Sequence, residues 1–154
     1  MDKIKKYLPF AALGLALLAF LMIFFPAIVI KGGENIEWSG WGVSWAFLYD
    51  DDGTSVLNAL TYLILLGGIA LFILSLLQDN KLFLHISIGC FFVTGIMFFC
   101  TVEFLAISAR SAGEKSYIRE CFVLGWGAII AGICSIFAAI CAAAPTVMDM
   151  LNIK

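Results

Sequence analysis

Charged residues are absent from four long stretches of the chain. No Asp, Glu, Lys or Arg occurs between Lys6 and Lys31, between Asp52 and Asp79, between Lys81 and Glu103, or between Glu120 and Asp149. Each stretch reaches the roughly 20 residues that a helix rising 1.5 Å per residue needs to cross a ~30 Å hydrocarbon core. Within such a core every backbone N–H and C=O must be satisfied inside the segment, so spanning segments are helices. The pattern predicts spans at about 7–27, 55–77, 82–109 and 120–144, in one integral membrane domain covering residues 1–154.

Connection lengths turn these spans into an architecture. Gln78-Asp79-Asn80-Lys81 is so short a link that the second and third spans must be antiparallel neighbours. The first connection, 28–54, holds about 27 residues, and the one after the third span holds about 10. The expected fold is all-α: a four-transmembrane-helix bundle with a small extracellular β-hairpin or sheet in the first loop.

That loop contains three of the four tryptophans, in Trp38-Ser39-Gly40-Trp41-Gly42-Val43-Ser44-Trp45. On a helix Trp38, Trp41, Trp45 and Leu48 form one stripe, suited to lying in a membrane interface. On a strand Trp41, Val43, Trp45, Phe47 and Tyr49 occupy successive odd positions, with small residues between them. Gly40, Gly42 and Val43 disfavour helix, so the strand is the expected form. Ile28-Val29-Ile30 follows Pro26, which ends or kinks the first span, and Lys31-Gly32-Gly33-Glu34-Asn35 has the turn residues of a hairpin. The aromatic face would then either rest in the headgroup layer, where Trp and Tyr are enriched, or present anchors to a partner. Asp50-Asp51-Asp52 lacks the spaced ligands of a calcium loop and leads into a helix capped by Thr54 or Ser55.

The fourth span carries Gly125, Ala128, Gly132, Ser135, Ala139 and Ala142 at three- or four-residue spacing. Such a stripe lets helix backbones approach closely where lipid supplies no hydrophobic drive between them. Its expected partners are Gly14 in the first span and Gly67 and Gly68 in the second, or a second copy of the chain.

Composition agrees with the pattern: 63% of residues are hydrophobic and 13% charged, with mean hydropathy +1.06, against nearer half and a quarter in soluble domains. The net charge of −2 has no clustered basic face, which excludes nucleic acid as a partner. Lys3, Lys5 and Lys6 before the first span favour a cytoplasmic N-terminus, and four spans return the C-terminus to that side. The first apolar run outlasts a signal-peptide core and no A-x-A site precedes Pro26, so it is read as an uncleaved span.

Two ionisable residues fall in the third predicted span, His85 and Glu103. Intramembrane ionisable groups mark function by default. Their separation of 18 residues places them about 27 Å apart on one helix, so they cannot act together. A buried Glu103 would offer a cation or proton site; an interfacial one would be hydrated or paired with an arginine. The five cysteines match no zinc spacing, and there is no H-E-x-x-H, no G-x-S-x-G and no phosphate-cradling loop. No metal, cofactor or catalytic residue is expected, and an enzyme is not.

Four spans, a long first outer loop with tryptophans and strands, and a long third span together resemble the claudin-type tetraspan layout. Gly40-Trp41 and Trp45 correspond loosely to the G-L-W motif of that family, whose paired loop cysteines are missing here. Phe25 to Ile30 and Ser39 to Trp45 are similar to segments of small uncharacterised four-span proteins of Gram-positive bacteria. That resemblance implies a surface membrane protein without an established activity. The expected role is non-enzymatic contact with a membrane or extracellular protein, in addition to the lipid bilayer, as an accessory, assembly or immunity-type subunit of the plasma membrane. The alternative is a small transporter or channel subunit using Glu103.

Overall fold

The computed structural model describes residues 2–31, 37–45, 55–109 and 112–151. In chain order its elements are α1 (Asp2–Leu21), a 3₁₀ turn (Met22–Phe24), β1 (Pro26–Ile30), β2 (Glu37–Ser39), α2 (Gly40–Trp45), α3 (Val56–Gln78), α4 (Lys81–Phe99), α5 (Thr101–Ser108), α6 (Ala112–Cys121), β3 (Phe122–Leu124) and α7 (Trp126–Met150). Four helices, α1 with its 3₁₀ extension, α3, α4 and α7, are long and apolar enough to cross a membrane.

Local chemistry sets their ends. Ser55 caps α3, its hydroxyl accepting from the Asn58 N–H at 3.4 Å. Asp79, at φ 50°, takes the left-handed conformation and donates its N–H to the Ser75 carbonyl, which closes the helix. Asn80 then caps α4, its side-chain oxygen accepting from the Leu82 N–H at 2.9 Å. The turn is therefore two residues long, and α3 and α4 pack antiparallel. At the same end Lys5 of α1 meets Asp149 of α7 at 2.8 Å.

The bundle core combines small residues of α1 and α7 with large ones of α3 and α4. Ala12, Ala16 and Ala19 meet Ala131 and Ala138, while Leu65, Phe72, Phe91 and Phe98 fill the remainder. A Cβ on Gly95 of α4 would stand 2.6 Å from Ile136, and one on Gly132 of α7 would stand 2.8 Å from the Phe99 ring. Absence of side chains at both positions is what brings α4 and α7 together. Several buried hydroxyls donate to their own helix: Thr61 to Leu57 O, Ser87 to Leu84 O and Thr94 to Cys90 O, at 2.8 to 2.9 Å. Outward faces are apolar, with Leu63, Phe92, Ile96, Ile133, Phe137 and Ile140 all exposed.

At the other end of the bundle a three-stranded sheet of order β2-β1-β3 is antiparallel throughout. Ile28 stands opposite Trp38 and Leu124, and Ile30 opposite Phe122. A second core forms beneath it from Ala27, Ile28, Val43, Leu105, Phe122 and Ala128.

Several expectations are corrected here. The first span stops as a helix at Leu21, because the chain passes through the 3₁₀ turn and extended Phe25 into β1. The stretch from Gly40 to Trp45 is helix, not strand. Ser39 supplies the reason, since its hydroxyl accepts from the Gly42 N–H at 3.2 Å and caps the turn. The hairpin partner of β1 is thus Glu37–Ser39, upstream of the expected strand. The third span is interrupted at Cys100, whose N–H bonds back to Met97 O at 3.0 Å. Two carbonyls of α5 also accept from the start of α3 and its cap: Asn58 Nδ2 reaches Thr101 O at 3.2 Å and Ser55 Oγ reaches Phe104 O at 2.9 Å. The fourth span begins at Trp126, because Phe122–Leu124 pairs with β1 instead of continuing a helix. Gly14, Gly67 and Gly68 do not face α7: the first two have open space where a Cβ would be, and Gly68 lies against Cys90 and Phe91 of α4.

Candidate functional site

The sheet end gathers the aromatic residues that the sequence singles out. Gly125 and Gly127 allow α7 to start directly against Pro26 and Phe25, which clamps the sheet to the bundle. Gly40 does the same for α2, since a Cβ there would collide with the Tyr62 hydroxyl of α3. Ser55 N–H donates to Val43 O at 3.1 Å and ties α2 to the start of α3. The site is therefore fixed to the long apolar helices α3 and α7.

On this frame Trp38 of β2 lies over β1 and packs on Phe122 of β3, ring centroids 5.3 Å apart. Tyr117 of α6 meets the same Phe122 edge-on at 6.2 Å, and Phe25 meets Trp126 at 4.9 Å. Such pairs add about 0.5–1.5 kcal/mol beyond the area they bury, which suffices to hold the rings in place. Yet Trp38 remains 41% exposed and Trp41 47% exposed. Trp45 closes α2, and Phe47 and Tyr49 lie outside the described residues. The acidic run Asp50 to Asp52 lies outside them as well.

Glu103 belongs to this end and not to the bundle interior. It projects from α5 and accepts from Arg119 of α6 through Nε at 3.0 Å and Nη2 at 2.8 Å, both side chains more than half exposed. An exposed pair of this kind contributes at most about 1 kcal/mol. It links α5 to α6, whose Ile118 and Cys121 also pack against the core under the sheet. This placement offers no support to a cation or proton site within the bundle. His85 lies at the opposite end, exposed on α4, its Nδ1 2.6 Å from the Lys81 carbonyl. The residues Gly125, Ala128, Gly132, Ser135 and Ala139 all face the inside of the same chain: Gly125 on β1, Gly132 on α4, and Ala128, Ser135 and Ala139 buried. All five cysteines are free thiols. Among the described residues no group of three or more His, Cys, Asp or Glu could hold a metal ion.

Phe122, Tyr117, Trp126 and Arg119 complete the site and were not singled out from the sequence. Phe122-Val123-Leu124 before Gly125 has the residue types of a short strand, but hydropathy merges it with the following span. No protein-family model and no curated protein matches the chain. The claudin-type resemblance read from the sequence therefore receives no support from these comparisons.

Proposed function

We propose that the protein is a non-enzymatic, multi-pass protein of the plasma membrane whose sheet end docks a membrane or extracellular protein, as an accessory, assembly or protective immunity-type subunit. The supporting observation is Trp38, held by Phe122 on a sheet clamped to the bundle and still two-fifths exposed. A rigid aromatic that keeps its contact area free loses little entropy on binding, which is the character of an interface hot spot. Membrane insertion is supported by the apolar outward faces of α3, α4 and α7, whose extent exceeds what a water-soluble monomer exposes. Lys3, Lys5 and Lys6 before the first apolar helix support an orientation with the termini in the cytoplasm and the sheet outside.

The test is crosslinking in intact cells followed by affinity isolation, comparing the native chain with a Trp38→Ala, Trp41→Ala double variant at matched membrane abundance. Aromatic hot spots cost about 2 kcal/mol or more on truncation, roughly 30-fold in affinity, so a specific partner should be lost from the variant. Recovery of the same partner in the same yield from both chains would reduce the tryptophans to membrane-interface anchors.

A further inference from the structure

The end of the bundle opposite the sheet contains a cavity of about 160 Å³ between α1, α3, α4 and α7. That is some tenfold the roughly 10–15 Å³ needed to hold one water. Pro9 and Pro145, each of which removes a backbone hydrogen bond from its helix, line it together with Phe72, Leu84, Asp79 and Lys81. Its wall is thus apolar on the side of the helices and charged at the α3–α4 turn.

The two charges are the informative part. Asp79 and Lys81 are separated by one residue and border the same cavity, yet neither forms an ion pair with the other or with another described residue. Lys5 and Asp149, at the same end, neutralise each other at 2.8 Å. The left-handed backbone at Asp79 and the cap at Asn80 fix the turn between the two and keep both residues on one rim. The ligand complementary to this rim carries a phosphate and an amine a few bonds apart above an apolar tail. Basic pockets between spanning helices recur as headgroup sites, and here the acid adds a place for an ammonium.

The geometry points to a site for a zwitterionic phospholipid of the ethanolamine class, its phosphodiester on Lys81, its ammonium on Asp79 and its upper acyl chain along Leu84 and Phe72. This rests on the membrane reading above, and the experiment separates the two. The native chain, Lys81→Gln and Asp79→Asn are reconstituted in bilayers of equal parts phosphatidylethanolamine, phosphatidylglycerol and phosphatidylcholine. Alkaline carbonate extraction comes first; release of the native chain would overturn membrane insertion itself. Lipids retained after mild detergent extraction are then counted by native mass spectrometry. The expected result is retention of phosphatidylethanolamine over the other two lipids by up to about fivefold, the range that solvent-accessible ion pairs support. Lys81→Gln should lose retained lipid of all three classes, and Asp79→Asn should lose only the preference for the primary amine. Equal retention of the three lipids by the native chain, or unchanged retention in both variants, would overturn the site. Displacement of the lipid by equimolar soluble glycerophosphoethanolamine would overturn its lipid character.

Discussion

Single side chains in this protein matter according to whether their polar atoms are paired. Asn58 is 3% exposed and its amide donates to the Thr101 carbonyl at the start of α5, which joins α3 to α5. Asn58→Ala should lower stability by about 1 kcal/mol, the loss of one buried hydrogen bond between α3 and α5. Ser135 is the opposite case: it is fully buried in α7 and its hydroxyl has no partner. Ser135→Ala should be neutral or stabilising by about 1 kcal/mol, because it removes an unsatisfied group while keeping the volume small. Thermal unfolding of the two variants in one detergent checks both signs. Ser135 is legible in the sequence as a small residue of a packing stripe, whereas its missing partner depends on which helices surround it. The sequence narrows the cap of α3 to Thr54 or Ser55, since a hydroxyl residue before an apolar helical run can start it, and the structure uses Ser55. Ser39 carries the same chemistry, but Gly40 and Gly42 after it made a strand the better local choice.

Helices and strands meet here through glycines, and not every glycine counts. Gly132→Leu should drive α4 from α7, since a Cβ alone would already lie 2.8 Å from Phe99 and 3.1 Å from the Gly95 carbonyl. The cost of such overpacking is about 1–3 kcal/mol. Gly14→Leu should have no comparable effect, as nothing lies within 4 Å of its Cβ position. Denaturation midpoints of the pair distinguish close helix approach from general loss of glycine. Spacing in the sequence identifies the stripe from Gly125 to Ala142, but its partner proved to be α4 together with the alanines of α1. Periodicity gives a face and says nothing of which neighbour the bundle turns toward it. The break between α4 and α5 was likewise invisible, because no proline or glycine stands at Cys100 and the side chains that donate to α5 come from the start of α3 and its cap.

The chain as assembled has two cores with different composition, one between the long apolar helices and one under the sheet. They place the chemistry at opposite ends: exposed aromatics and the Glu103–Arg119 pair at one, and Asp79, Lys81, His85 and the Lys5–Asp149 pair at the other. On the proposed orientation, with the start of the first long apolar helix and the end of the last one cytoplasmic, a fluorescent protein fused after Lys154 should fold and fluoresce, while alkaline phosphatase at the same point should be inactive. The reverse pattern would turn the sheet end toward the cytoplasm and redirect the search for a partner to cytoplasmic proteins.

The number of long apolar helices, the short turn at Asp79-Asn80 and a hydroxyl cap at Thr54 or Ser55 follow from residues close together in the chain. Each depends on sums or contacts over a turn or two, which hydropathy and residue chemistry report directly. The pairing of β1 with β3 joins Ile28 to Leu124, the Glu103–Arg119 pair ties α5 to α6, and the cavity needs Pro9, Asp79, Lys81 and Pro145 from four helices at once. Only packing decides these, because a strand of three residues or a rim of charges gains its energy from partners far away in sequence, and no local pattern records where those partners will be.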